Sequence, residues 1–262
     1  MPKKIKMIVT DLDNTLLRTD KTISDYTVQV LNKCREYGII IAFATARPAR
    51  VAQYESFTPD AIIADGGAIV KCSEKIIYKV VIPNEILNAL IRELKTSGKV
   101  GYLTVETGEY LLSNYKGNEL MADLSAWNIV NTDFEDKIDV PSTKMSIECK
   151  DKLWLNSLIK SYAELKIHGN TGEDWSQVYN VEVSKYKGVK ILAEYFNIVI
   201  SEIAAFGDDL IDIEMIKECG IGIAVANAPD EVKAEADFIC GTNDNDGVVK
   251  WLEEMILKDR EV

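Results

Sequence analysis

Short apolar runs without alternation, separated by amphipathic segments, constrain this chain more than any other feature. Residues 39–44 and 61–64 are apolar throughout, and 6–10 carries an unbroken Met7-Ile8-Val9 at its centre. A strand with one wet face alternates apolar and polar side chains, so unbroken runs predict strands covered on both faces, as in a parallel sheet between helices. The first connection agrees. Ser24 is placed to cap a helix carrying Val28, Leu31, Cys34 and Tyr37 on its apolar stripe, and Gly38 ends it. Residues 69–70 and 76–78 read as a hairpin.

From residue 83 the pattern changes. Residues 85–97 predict a helix with Ile86, Leu87, Leu90, Ile91 and Leu94 on one face. Strand-like pieces follow at 100–105 and 110–113, then a helix near 118–127, a strand at 143–148, a helix at 152–165 and a strand at 176–183. From Lys187 the earlier pattern resumes, with a helix to 196, a strand at 203–206, a helix after Asp212, a strand at 221–225, a helix to 236, a strand at 237–240 and a last helix over 247–257. The expected fold is therefore α/β. A Rossmann-like parallel-sheet core over 1–82 and 184–262 is interrupted by an inserted α+β cap domain over 83–183. A length of 262 residues suits a core with a large insertion at roughly 150 residues per domain.

Composition removes several function classes. The formal charge is -12, and no Lys/Arg-rich block supplies the basic footprint that nucleic acid or an anionic membrane would need. A single histidine, His168, excludes multi-histidine zinc sites and leaves a Ser-His-Asp hydrolase little to rest on. The five cysteines are widely spaced with no C-x-x-C, as expected for reduced thiols in a cytoplasmic protein. No apolar stretch approaches the length of a membrane span, about 20 residues.

The chemistry-bearing residues cluster at predicted strand ends, where open parallel sheets hold their ligands. Asp11 and Asp13, in Asp11-Leu12-Asp13-Asn14-Thr15, follow the first strand. One such carboxylate can attack phosphorus while the other moves a proton. Alone, the same string is an ordinary polar turn. Thr45 closes the second strand ahead of Ala46 and Arg47, where a hydroxyl and a backbone N–H could hold phosphate oxygens, or the threonine could simply cap a helix. Lys187-Gly188 opens the helix that re-enters the core, and Asp208, Asp209 and Asp212 follow the strand at 203–206. Several carboxylates at one strand end repel unless they share a cation, and hard oxygen donors near phosphate favour Mg²⁺.

As an ordered set, Asp11/Asp13/Thr15, Thr45, Lys187 and Asp208/Asp212 resemble the four motifs of the haloacid dehalogenase superfamily, in particular its Cof-type capped phosphatases. Asp65-Gly66-Gly67-Ala68-Ile69 and Asn227-Ala228 are also similar to that family. The resemblance implies a Mg²⁺-dependent phosphatase acting on a small phosphorylated substrate. It implies Asp11 as nucleophile and metal ligand, Asp13 as general acid/base with its carbonyl reaching the metal, Asp208 and Asp212 as further metal residues, and Thr45, Ala46 and Lys187 around the phosphoryl group. Arg47 and Asn227 would face substrate. Asn14, Ala46, Asp65 and Ile211 depart from the family's usual residues. A sugar phosphomutase using the same aspartyl-phosphate is the nearest alternative, and a receiver-type signalling module is disfavoured by motif order and length.

Overall fold

The structure, a computed structural model, describes residues 4–115, 127–169 and 174–258. Two compact units form. One comprises Met1–Arg47, Ala52–Tyr78 and Ser184–Val262; the other comprises Pro48–Val51 and Lys79–Val183. The helix expected near 118–127 falls largely outside the described residues.

In the first unit the apolar runs become β1 (Met7–Thr10), β2 (Ile40–Ala44) and β3 (Ala61–Ala64), followed by β4 (Ile69–Cys72) and β5 (Lys75–Lys79). The helix between the first two strands is α1 (Asp25–Glu36), whose first turn is capped by Ser24 accepting from Thr27 N at 3.0 Å. Eight strands form one sheet, in an order that also includes β12 (Ile203–Gly207), β13 (Ile221–Val225) and β14 (Phe238–Cys240). That order is β14-β13-β12-β1-β2-β3-β4-β5. Pairing from β14 to β3 is parallel, and β4 returns antiparallel on β3.

This order decides where a site can form. The chain moves outward one way from β1 through β2 and β3, and later outward the other way from β12 through β13 and β14. The reversal lies between β1 and β12, and the carboxyl ends of strands at such a reversal hold ligands. Met7, Val9, Ala42, Ala44, Ile63, Ile203 and Ala205 pack beneath Val189 and Leu192, both on the helix α4 (Lys185–Tyr195). Such burial, about 1.5–3 kcal/mol per large aliphatic side chain, fixes the strands whose ends carry the acids.

The second unit is a six-stranded sheet in the order β10-β11-β9-β6-β7-β8. Its strands are β6 (Val100–Glu106), β7 (Leu111–Ser113), β8 (Ile129–Asn131), β9 (Lys144–Cys149), β10 (Leu165–Gly169) and β11 (Trp175–Asn180). Pairing is antiparallel except between β7 and β8. One face, with Leu103, Val105, Met145, Ile147 and Val178, packs on α2 (Asn84–Ser97) and α3 (Lys152–Lys160). The period of two turns Thr104, Glu106, Lys144 and Ser146 to the opposite face. Glu106 is fully buried there in a bidentate pair with Arg50, at 2.5 and 2.9 Å.

Several predicted elements differ from the structure, among them the following. The helix expected at 152–165 stops at Lys160, and residues 165–169 form the unanticipated β10, because the chain turns at Tyr162 to pair with β11. β8 was not anticipated, since three residues without alternation carry no periodic signal. The helix expected from Lys187 begins at Lys185.

Candidate functional site

Asp11 follows the last residue of β1, and its N–H donates to Phe206 O of β12 at 2.9 Å. The next residues make one wide turn, closed by Leu16 N to Asp11 O at 3.3 Å and Leu17 N to Leu12 O at 2.8 Å. Asn14 takes the left-handed conformation there, with φ of 59°, a region that asparagine tolerates better than most residues. Thr15 Oγ1, buried by this turn, donates to Asp208 Oδ1 at 2.7 Å.

Asp208 and Asp212 lie beyond β12. Asp212 is fully buried, and its Oδ2 accepts from the N–H groups of Asp208 and Asp209 at 3.1 Å each. Gly207 makes room for it: a Cβ at that position would stand 2.5 Å from the Cβ of Asp212. Oxygens of Asp11, Asp208 and Asp212 all lie within 4.8 Å of one another. Of the five acids expected to cluster, these three converge. Asp209 turns back to cap its own turn, accepting from Leu210 N at 2.6 Å, and Asp13 is engaged elsewhere.

The cation beside these acids is Lys185, not Lys187. Lys185 Nζ lies 2.6 Å from Asp11 Oδ1 and 2.5 Å from Asp212 Oδ1, with its side chain 2% exposed. Lys187 is two residues further along the helix, about 200° around its axis, and its ammonium lies over the Tyr78 ring at 5.3 Å. The difference comes from the helix start. Ser184 Oγ accepts from Lys187 N at 3.1 Å, which makes Lys185 the first helical residue and aims it across the sheet's end. Gly67, with φ of +110°, permits that approach, because a Cβ there would stand 2.2 Å from Ser184 O.

Thr45 is buried at the end of β2. Its hydroxyl accepts from Arg47 N at 3.1 Å, and its own N–H donates to Ile63 O at 2.8 Å. The turn at Asp65-Gly66 braces it, through Asp65 N to Arg47 O at 3.0 Å and Gly66 N to Thr45 O at 2.9 Å. Ala46 lies within this braced turn. The Arg47 guanidinium grips Asp13 in a fork, at 2.6 Å to Oδ2 and 2.7 Å to Oδ1, and Lys21 Nζ adds a contact at 2.8 Å. Asn227 does not join the acids. Its amide donates to Asn14 O at 2.8 Å and accepts from Asn243 N at 3.0 Å, so it ties two loops together.

Electrostatics sort the carboxylates into two kinds. Burial pushes Asp11 well above the ordinary carboxylate range, with Lys185 opposing and the charges of Asp212 and Asp208 reinforcing the rise. Burial, against the Thr15 hydrogen bond and with the charge of Asp212, pushes Asp208 up to about 6. Asp13 behaves oppositely: burial raises it, but the Arg47 fork and Lys21 hold it below the usual range. The Asp11/Asp208/Asp212 group is thus short of positive charge even with Lys185 in place. Three hard oxygen donors at this spacing fit a divalent cation.

Sequence reasoning missed Lys185, Lys21 and Tyr54. Lys185 carried a readable signal, being the first residue after a capping serine. Lys21, at φ of 67° in an exposed turn, carried none. Tyr54 reaches the Arg47, Asp13 and Asp11 neighbourhood from a loop without periodicity.

A profile of the haloacid dehalogenase-like hydrolase family matches residues 8–252. The chain is 27% identical to the 5-amino-6-(5-phospho-D-ribitylamino)uracil phosphatase YitU of Bacillus subtilis, covering 97% of this chain and 98% of that protein. A haloacid dehalogenase-like hydrolase of known structure from Bacteroides thetaiotaomicron superposes with a TM-score of 0.83 at 27% identity, covering 96% of this chain and all of that one. The subclass IIB sugar phosphatase BT4131 shares the fold, with a TM-score of 0.83 at 24% identity over 95% of this chain and 98% of its own.

Proposed function

The chain belongs to the haloacid dehalogenase-like hydrolase family as a Cof-type phosphatase, and from that premise we propose that it hydrolyses a small phosphorylated metabolite through an aspartyl-phosphate on Asp11, with Mg²⁺ as its cofactor. The observation that carries this reading is the buried Lys185 bridging Asp11 and Asp212 beside Asp208. An anionic nucleophile meets an anionic phosphate only where positive charge cancels their repulsion.

Each residue then has a task. Asp11 attacks phosphorus, Lys185 holds it in place and offsets charge, and Asp208 and Asp212 with Asp11 would hold Mg²⁺. The ion's chemistry is to neutralise the phosphoryl oxygens. Thr45 and the Ala46 N–H would receive those oxygens. Asp13 gives a proton to the departing oxygen and then takes one from water. Its ion pairs with Arg47 and Lys21 keep it ionised, so substrate binding must loosen the fork before Asp13 can carry that first proton. A phosphate anion competing for Arg47 would do so.

YitU, whose substrate carries a ribityl phosphate, makes sugar- and polyol-type phosphomonoesters the first compounds to try. The five cysteines are all free thiols, which fits a reducing cytoplasmic setting. No helix among the described residues is long and apolar enough to cross a membrane. The test is a panel of phosphorylated metabolites with Mg²⁺, reading release of inorganic phosphate. We expect turnover of at least one small phosphomonoester and loss of it in Asp11→Asn. A mutant with full turnover would exclude Asp11 as nucleophile.

A further inference from the structure

Tyr54 lies on the loop after Thr45, its ring edge-on to Phe43 of β2 with centroids 6.5 Å apart. A backbone bridge to Phe57 fixes the loop. The hydroxyl is buried close to the Arg47 guanidinium that holds Asp13, and it donates no hydrogen bond. The neighbours explain why. Arg47 carries only donors, so the phenol cannot donate to it, and the Asp13 carboxylate is taken up by Arg47 and Lys21 rather than by the phenol. Burial, with the nearby Asp13 and Asp11 charges, pushes the phenol up to about 12 although Arg47 opposes the rise. A phenol keeps its proton near neutral pH in any case, and here that proton meets no acceptor within hydrogen-bond reach. Phenylalanine would fill the same place against Phe43 without that cost.

We propose that Tyr54 is a further substrate-binding residue, its O–H donating a hydrogen bond to the phosphate group that this site receives. The phosphate brings the acceptor oxygens that the surrounding side chains lack. This rests on the phosphatase reading above. It also gives a loop without any family motif a share in anchoring the substrate's anionic end, next to the arginine that must release Asp13.

The test compares wild type with Tyr54→Phe in the full chain, with Mg²⁺ present. It uses inorganic phosphate binding by calorimetry, kcat/KM on the best phosphomonoester, and thermal midpoint. We expect phosphate affinity and kcat/KM to fall about ten- to hundredfold, as for a lost hydrogen bond to a charged group. The midpoint should stay unchanged or rise, because a buried orphan hydroxyl has been removed. Phosphate affinity within twofold of wild type overturns the proposal. So does a loss of affinity accompanied by a fall in midpoint, which marks Tyr54 as a packing residue. If wild type hydrolyses no phosphomonoester, the phosphatase reading fails, while the phosphate titration still decides the role of Tyr54.

Discussion

At the scale of single residues, the choice between two lysines is the sharpest lesson. Lys187 is the lysine that the resemblance implies beside the phosphoryl group, yet the residue that meets Asp11 is Lys185. A string fixes neighbours along the chain, whereas the direction of a side chain depends on where the helix begins. Replacing Lys185 removes the cation between two buried carboxylates, and leaving buried charge uncompensated costs about 3–5 kcal/mol. Lys185→Met should therefore lower stability in metal-free protein by that order and abolish measurable turnover. Lys187→Met, which removes an ammonium lying over the Tyr78 ring rather than among the acids, should keep most of its activity. Urea denaturation and phosphate release on the two variants decide between them. Equal losses in both would refute the placement of Lys185. The acids were legible for the opposite reason: Asp11 and Asp208 directly follow apolar strands, so strand register alone places them.

Elements carry this placement. The first turn of α4 can reach the sheet's end only because Gly67 lies beneath it without a side chain. Gly67→Ala should be costly twice, through a left-handed φ and through collision with Ser184 O, for a total of about 2–4 kcal/mol. Activity should fall with stability, since the same added atom would lie 2.9 Å from Lys185 N. Gly38 is the matched control. It has φ of +74° but nothing within 4 Å of an added Cβ, so Gly38→Ala should cost only about 1–2 kcal/mol and leave kcat intact. A Gly67→Ala protein with wild-type turnover would separate the α4 start from the chemistry. The core strands were readable because burial on both faces leaves unbroken apolar runs, and α1 and α2 because burial of one face imposes a period. β8, the β10 strand and the bracing of Thr45 by Asp65-Gly66 were not, because short pairings and loop hydrogen bonds depend on partners distant in sequence.

For the molecule as a whole, a charge of -12 first reads as a poor endowment for binding an anion. The structure divides that charge. Asp13 is neutralised by Arg47 and Lys21, Asp209 is spent on a turn, and Asp11, Asp208 and Asp212 remain as a buried excess with one lysine among them. The sign of the resulting pH dependence follows from Asp208, raised to about 6 mainly by burial. Between the ordinary carboxylate pKa, about 4, and that value, the folded chain holds a proton the unfolded chain has lost. Without metal, this group makes stability fall as pH rises through the window. Mg²⁺ needs the ionised carboxylate, so its stabilising effect must grow over the same interval. Thermal midpoints with chelator and with saturating Mg²⁺ should differ little at pH 5 and clearly at pH 8. At one hundred times Kd the gain is about 2.7 kcal/mol. An equal shift at both pH values would mean that the ion binds away from these carboxylates, and that their negative charge is balanced by the protein alone.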